Sequence, residues 1–344
     1  APAIAMGNRV VMIPSQKFAS VALELVQTFE TSDVPAGVIN IVTGNKQELA
    51  EQLAGHAEAD AMWCWAGPEL VSSVESISAK DLKRLWVNDD ADRDWIDPMQ
   101  GEGLEFLRNA ISAASKASAW GSLSGHGRAQ VIYFIAENLA VRETEWVERL
   151  ITLCGITKKQ AKTEFDESIS RLFSYAAWAD KYDGAVHSAP YRGVTMALPE
   201  PIGVLAQIAP ENSPLLSTIS LIAPAIAMGN RVVMIPSQKF ASVALELVQT
   251  FETSDVPAGV INIVTGNKQE LAEQLAGHAE ADAMWCWAGP ELVSSVESIS
   301  AKDLKRLWVN DDADRDWIDP MQGEGLEFLR NASEIKNIWT PYGD

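Results

Sequence analysis

Apolar and polar residues follow two different periods along residues 201–310, and the switching between them predicts a fold. Short, nearly continuous apolar runs are separated by stretches in which apolar residues recur at helical spacing. The predicted strands are Ile202–Ile208, Arg231–Ile235, Val260–Val264, Ala281–Trp287 and Leu304–Val309, and the predicted helices are Pro214–Met228, Ala241–Phe251, Leu271–Leu275 and Leu292–Ile299. Continuous apolar strands joined by helices are typical of a parallel sheet covered on both faces. We therefore predict an α/β fold with a Rossmann-like, doubly wound parallel sheet over residues 201–332.

Residues 111–183 carry only the helical period, which predicts a helical arm. The predicted core-facing stripes are Ala129, Ile132, Ile135, Ala136 and Leu139, then Trp146 to Leu153, then Ile169, Leu172, Phe173, Ala176 and Ala177. From residue 184 to residue 200 the pattern becomes short, extended and interrupted by prolines. This change predicts a β-hairpin outside the compact domain.

Residues 1–110 recur letter for letter as residues 223–332. The first copy is a partial Rossmann segment without the first strand, Ile202–Ile208, and one such strand cannot complete two sheets. We expect residues 201–332 to form the sheet in sequence order, whereas the alternative is a circular permutant in which residues 1–110 complete it. The spare copy is then loose, non-native or completed by another molecule through domain swapping. The absence of any substitution between the two copies favours a very recent or an engineered duplication. Ala1 matches Ala223, which lies inside a predicted helix, so the first copy looks as if it was cut from a larger unit.

The charge and composition of the chain exclude several classes of binding partner and site. The net charge is −20, of which each copy of the repeat carries −9, and no cluster of Lys and Arg is present. Such a surface argues against nucleic acid and membrane partners. The chain lacks an apolar run of membrane-spanning length and a signal-peptide pattern, so we expect a cytoplasmic protein. The cysteine and histidine spacings predict no metal site.

Three motifs resemble the cofactor-binding domain of aldehyde dehydrogenases. They are PIGVLAQIAPENSPLLSTISLIAPAIAMGNRVVMIPSQ (201–238), VPAGVINIVTG (256–266) and HAEADAMWCWAG (278–289). The run FSYAAWADKYDG (173–184) is similar to that family's N-terminal arm, and EIKNIWTPYGD (334–344) resembles its C-terminal oligomerisation strand. Within the superfamily, the chain most resembles the non-catalytic C-terminal pseudodomain of two-domain family-16 aldehyde dehydrogenases.

The resemblance implies that the catalytic machinery is missing. The family's nucleophilic Cys and general-base Glu lie in or beside a catalytic domain that should follow VNDDADRDW (309–317), but this chain passes within a few residues to GEGLEFLRNA (323–332). Cys286 stands in an apolar strand, where burial disfavours the thiolate. Cys154 ends an amphipathic helix without a nearby His. We therefore predict no catalytic residue.

The resemblance also implies an eroded cofactor site. The family places a Lys, which reaches the adenosine ribose, where this chain has Ile235, and usually a Glu where it has Gln238. Its Gly-Ser turn corresponds to Gly289 and Pro290. Asn212 survives from the oxyanion-hole motif, but we expect it to cap the following helix instead. The predicted vestigial positions are Pro210, Asn212, Ile235, Gln238, Gly266 and Gly289, and no cofactor is expected.

The sequence thus favours a non-catalytic, aldehyde-dehydrogenase-like domain with a structural role in oligomerisation. The hairpin and the C-terminal strand from residue 333 would form a flap that docks on a neighbouring subunit. Expected partners are a homo-oligomer or swapped dimer, or a parent aldehyde dehydrogenase domain. One alternative is an NAD(P)-dependent oxidoreductase whose chemistry is supplied by another domain or subunit. Another is an engineered chain made for competition or swapping.

Overall fold

The structure, a computed structural model, describes residues 4, 9–32, 34–81, 83–89, 104–188, 192–311 and 315–341. The chain divides into two compact units, residues 1–101 and residues 102–344. This boundary lies inside the repeat rather than at its end at Ala110, because the last residues of the first copy belong to a helix that continues beyond the repeat.

The first unit contains two separate pairs of parallel strands. Strand β1 (Val10–Met12) pairs with β2 (Ile39–Ile41), and β3 (Ala61–Ala66) pairs with β4 (Arg84–Asp89). The helices are α1 (Ala19–Thr31), α2 (Lys46–Ala54) and α3 (Pro68–Ser78). Its buried hydrophobic core consists of Ala50, Ala54, Cys64, Ala66 and Val74. Among its described residues, no central strand joins the two pairs.

The second unit begins with the predicted helical arm. Its helices are α4 (Leu104–Lys116), α5 (Ala119–Ser122), α6 (Gly125–Ala140), α7 (Glu143–Cys154) and α8 (Lys158–Lys181). All five residues of the predicted α6 stripe are buried. The prediction for Phe173 is wrong: its side chain is exposed and lies against Tyr133, and Tyr175 is buried on α8 instead. The buried face of α8 differs from the predicted apolar stripe. It also contains polar residues, which the apolar pattern does not reveal.

The main sheet is built from the second copy and the strand before it. Its elements are β7 (Val204–Ile208), α9 (Pro214–Ala227), β8 (Arg231–Ile235), α10 (Ala241–Glu252), β9 (Ile261–Ile263), α11 (Lys268–Ala276), β10 (Ala283–Trp287), α12 (Pro290–Ser300) and β11 (Arg306–Asn310). The strands are parallel, in the order β11-β10-β7-β8-β9. The predicted Rossmann-like parallel sheet is therefore confirmed, with β7 at its centre.

Two polar side chains fix the start of β7. Asp282 accepts a hydrogen bond from the Val204 N–H at 2.7 Å, and Asn230 accepts those of Ile202 and Gly203. The φ of Gly203 is +137°, and a Cβ there would lie 2.1 Å from Asp282 Oδ2. A side chain at residue 203 would therefore break the contact that aligns β7 with β10.

The remaining elements form a small antiparallel sheet. They are β5 (Ala185–His187), β6 (Gly193–Pro201), α13 (Pro320–Gly323), α14 (Leu326–Asn331) and β12 (Ser333–Pro341). The strand order is β12-β6-β5. The hairpin expected over residues 184–200 is present, and the C-terminal strand pairs with it; we call these three strands the flap. Within the described residues, no helix has both the length and the apolar character that crossing a membrane requires.

Candidate functional site

The carboxyl ends of the parallel strands meet at one edge of the main sheet. The chain proceeds from β7 to β8 on one side and later returns to β10 on the other, so the loops after β7 and β10 diverge. In open α/β sheets, ligands bind in the crevice outside such a switch point. The loops over residues 209–213, 236–240, 264–267 and 288–289 therefore define the candidate site.

An ion pair joins two of these loops. Lys268 Nζ donates to Glu211 Oε1 at 2.7 Å and to the Ala209 carbonyl oxygen at 2.6 Å. The Lys268 side chain is only 10% exposed. Since a buried ammonium group is costly without a counterion, Glu211 stabilises its position. The pair ties the loop after β7 to the start of α11.

The Glu211 carboxylate also binds the loop after β8. Ser237 Oγ donates to Oε2 at 2.6 Å, and the backbone N–H groups of Gln238 and Lys239 donate at 3.2 and 3.1 Å. Burial raises the pKa of Glu211, but the hydrogen bonds from Lys268 and Ser237, the Lys268 charge and the Lys239 N–H outweigh it and lower that pKa to about 2. Glu211 is therefore ionised at neutral pH and held by four donors.

Three predicted cofactor positions lie in or next to the loops after β7 and β8. Ile235 is buried at the end of β8, and Pro210 is buried in the loop after β7. Gln238 accepts the backbone N–H of Lys268 through Oε1 at 3.0 Å. The structure thus brings these positions to one edge of the sheet, and their vestigial role stays a prediction.

The two predicted glycines lie in the loops after β9 and β10. Gly266 has a φ of +152°. Gly289 is the N-cap residue of α12, with Pro290 at the first helical position and open space where a Cβ would stand. No side chain caps this helix.

The prediction that Asn212 caps α9 is wrong. The N-cap residue is Ser213, which adopts a left-handed conformation and makes no side-chain cap, and Asn212 is exposed. Glu164 on α8 accepts the backbone N–H groups of Leu215 and Leu216, at 2.8 and 3.3 Å. Burial raises the pKa of Glu164, and these two hydrogen bonds oppose that rise. A buried glutamate from another helix therefore takes the capping role.

Comparison with known proteins identifies the family. The model of the aldehyde dehydrogenase family matches residues 1–96 and, separately, residues 87–313. The chain belongs to the aldehyde dehydrogenase family. Betaine aldehyde dehydrogenase of Bacillus subtilis is 33% identical over 210 residues, which are 60% of this chain and 43% of that protein. An aldehyde dehydrogenase of Agaricus bisporus is 33% identical over 206 residues, 58% of this chain and 41% of that one.

Solved structures agree with this assignment. Betaine aldehyde dehydrogenase from Staphylococcus aureus, in complex with NAD+, is 26% identical with a TM-score of 0.59, covering 61% of this chain and 43% of that one. An NAD-dependent aldehyde dehydrogenase from Sinorhizobium meliloti is 25% identical with a TM-score of 0.59, covering 61% and 43%. This family member thus spans less than half the length of the relatives that it matches.

Two cysteines of the second unit of this aldehyde dehydrogenase homologue differ in their surroundings, but neither thiol is reactive. Cys286 is fully buried in β10. Burial and the nearby Glu164 raise the pKa of Cys154 to about 11, against the lowering effect of Lys239. The Cys154 thiol is therefore protonated at neutral pH. In the described ranges, no group of three or more His, Cys, Asp or Glu residues could hold a metal ion.

The segment between β11 and β12 is anchored to the arm by a buried arginine. Arg171 on α8 is fully buried and donates to Ser220 Oγ at 2.8 Å, to the Trp317 carbonyl oxygen at 2.7 Å and to the Gly323 carbonyl oxygen. Its Nε lies 3.1 Å from a carboxylate oxygen of Glu324. The described part of this connector, residues 315–332, is therefore held against the core of the second unit.

Aromatic packing holds the same connector to the sheet. Trp317 is 1% exposed and lies edge-on to Trp287 with ring centroids 5.6 Å apart. The Arg315 guanidinium lies over the rings of Trp287, Trp308 and Phe328, at 5.9, 5.6 and 5.4 Å. These contacts pack the connector against the tryptophans of β10 and β11.

Sequence reasoning missed Glu211, Lys268, Glu164 and Arg171. The one local signal was Glu211, a charged residue where the family usually has an aromatic one. The pairing of Glu211 with Lys268, 57 positions away, is visible only once the sheet brings the loops together.

Proposed function

We propose that this aldehyde dehydrogenase-family chain contributes to assembly and does not oxidise aldehydes by itself. The observation that carries the proposal is the connector between β11 and β12. Where the resemblance places a catalytic domain, residues 315–332 turn back onto the core and are fixed by Arg171 and the Trp317 contacts. The described connector thus packs on the core of the second unit.

The thiols support the proposal. An aldehyde-oxidising cysteine must be accessible and deprotonated to attack the carbonyl carbon. Cys286 is inaccessible inside β10, and the Cys154 thiol has a pKa of about 11. At pH 7 that pKa leaves about one thiolate in ten thousand.

The sheet edge also fits a dinucleotide poorly. A ribose needs hydrogen-bonding partners, but Ile235 is apolar and Gln238 already bonds the start of α11. The donors that could bind a phosphate after β8 are engaged by Glu211. Each polar group left unpaired on binding costs about 1–3 kcal/mol. We therefore propose no resident cofactor and derive no step through one.

The flap supplies the assembly role in this proposal. In the described part of the flap, β5 and β12 each pair with β6 and form its two edges, and an edge strand can accept another strand. Val186 on β5 and Ile335 on β12 are 73% and 54% exposed. The proposed partner is a neighbouring subunit, either a second copy of this chain or a parent aldehyde dehydrogenase domain.

The repeat is proposed to be a recent or engineered duplication. Its two copies are identical, yet Val21 is exposed where its counterpart Val243 is fully buried. Exposed apolar residues tolerate polar substitutions, so a long-established copy would have drifted at such sites.

The proposal is tested by titrating the full chain with NAD+ and NADP+ in a calorimeter and by assaying aldehyde-dependent reduction of either dinucleotide. Betaine aldehyde dehydrogenase of Bacillus subtilis serves as the positive control. We expect neither saturable micromolar binding nor turnover from this chain.

Two results would decide against the proposal in different ways. Turnover by the chain alone would show that it carries its own nucleophile. Saturable dinucleotide binding without turnover would favour the alternative function, an oxidoreductase part whose chemistry another domain or subunit supplies.

A further inference from the structure

The groups around the Glu211 carboxylate are arranged as an anion-binding site. Its donors are Lys268 Nζ, Ser237 Oγ and two consecutive backbone N–H groups, those of Gln238 and Lys239. They come from α11 and from the loop after β8, and they converge on two oxygen atoms. Such a combination of ammonium, hydroxyl and backbone donors suits a carboxylate or a phosphate.

We infer that these donors form an anion site occupied by Glu211 as an internal ligand, and that removing the Glu211 side chain opens it to a small carboxylate or to phosphate. The inference deepens the proposed function, because the contact closes the sheet edge at which a dinucleotide would have to bind.

Burial gives the site its affinity for an anion. Lys268 is nine-tenths buried, and besides Glu211 its Nζ contacts a neutral carbonyl, that of Ala209. Without Glu211, the ammonium charge would lose the carboxylate that compensates it, which is strongly unfavourable in a buried position. An external anion of the same size would restore the lost pairing.

The repeat offers a comparison within the same chain. Lys46 is the counterpart of Lys268, but Glu211 and the loop after β7 lie outside the repeat. Lys46 Nζ donates to the Trp65 carbonyl oxygen at 2.9 Å, and Ser15, the counterpart of Ser237, is exposed. The contacts described for the first copy therefore differ from those that converge on Glu211.

The test is chemical rescue of Glu211→Ala by formate and by phosphate. Thermal unfolding of the wild-type chain, Glu211→Ala and Glu211→Gln is followed at increasing anion concentration and constant ionic strength, with chloride as reference. A ligand that binds only the folded state raises the unfolding midpoint. We expect a saturable rise for Glu211→Ala alone, because the wild-type carboxylate and the isosteric glutamine amide both fill the site.

Matched variants locate the effect. Adding Lys268→Met to Glu211→Ala should abolish the rescue, whereas adding Lys46→Met, the same change in the first copy, should leave it intact. If Glu211→Ala is insoluble in chloride, its refolding yield in formate against chloride gives the same comparison.

Rescue that is absent, or that survives Lys268→Met, would overturn the inference, as would equal stabilisation of the wild-type chain. None of these results would alter the dinucleotide titration of the wild-type chain, so this inference and the proposed function fail separately. Rescue by formate but not phosphate would confine the site to carboxylates and still support it.

Discussion

The pKa values of two glutamates in the second unit shift in opposite directions, although burial raises both. For Glu164, burial raises the pKa and two backbone N–H groups only oppose the rise. For Glu211, burial also raises the pKa, but the hydrogen bonds from Lys268 and Ser237 reverse it. The difference is a neighbouring cation, because neutral donors alone compensate a buried carboxylate less completely. Glu164 thus acts as an acceptor for α9, whereas Glu211 acts as a counterion.

Substitutions of Glu164 should separate its acceptor role from its charge. Glu164→Gln keeps an oxygen for the N–H groups of Leu215 and Leu216 and removes a buried charge, so we expect a loss of at most about 1 kcal/mol. Glu164→Ala leaves both N–H groups unpaired and should cost about 1–3 kcal/mol. Urea unfolding midpoints measure both. Equal losses would mean that the charge, rather than the acceptor, stabilises the helix.

The prediction that Asn212 caps α9 failed because the capping group comes from a distant part of the chain. A polar residue before a helix is a good local predictor of a cap, and Asn212 stands beside the N-cap residue Ser213. The acceptor that caps α9 instead comes from Glu164, on a helix that precedes it by some fifty positions. Local pattern cannot reveal this, because the contact depends on how α8 packs against α9.

At the scale of elements, the repeat shows how far a pattern determines structure. The same letters form α1 in the first unit and α10 in the second, since helical periodicity is local. Burial is not local: Leu247 on α10 is fully buried, whereas its counterpart Leu25 on α1 is 45% exposed. Among the described strands, β7 pairs with β8 and β10, which belong to the second copy, and so completes a sheet on which α10 can pack.

This asymmetry predicts unequal costs for one substitution made at two identical sequence positions. Leu247→Ala should lose about 2–5 kcal/mol, because it leaves a cavity in the core. Leu25→Ala should change stability by no more than about 0.5 kcal/mol, since the site is largely solvated. Urea unfolding of each variant, followed by tryptophan fluorescence, makes the comparison. Similar costs at both sites would show that the first copy is completed in solution as fully as the second.

At the end of the repeat, the residues that follow each copy change the length of a helix. The letters LEFLRNA begin the long helix α4 when Ile111 follows, but they form the short helix α14 when Ser333 follows. Residues 111–116 continue the helical pattern, whereas Ser333 begins β12, which pairs with β6. A domain boundary placed at the end of the repeat therefore divides α4.

At the scale of the whole molecule, the sequence was sufficient for the doubly wound sheet and for the flap. Both depend on strong patterns: apolar strands alternating with helices, and a proline-punctuated hairpin. The anchoring of the connector was not predictable, because Arg171 looks like an ordinary charged helix residue until its carbonyl partners, 146 and 152 positions away, are in place. The Glu211 site was hidden for the same reason, since its parts meet only at the sheet edge.

The edge strands of the flap predict that copies of this chain associate in solution. If its edge strands pair with another copy of this chain, the mass in solution should rise with concentration. The double substitution Val186→Lys and Ile335→Lys places two charges on those edges and should lower the mass at each concentration. Val141→Lys, at an apolar position 83% exposed on the helical arm, is the matched control and should leave the mass unchanged. Light scattering across a concentration series measures all three. A monomeric mass at every concentration would contradict self-association through the flap. A loss of association in Val141→Lys alone would place the interface on the arm.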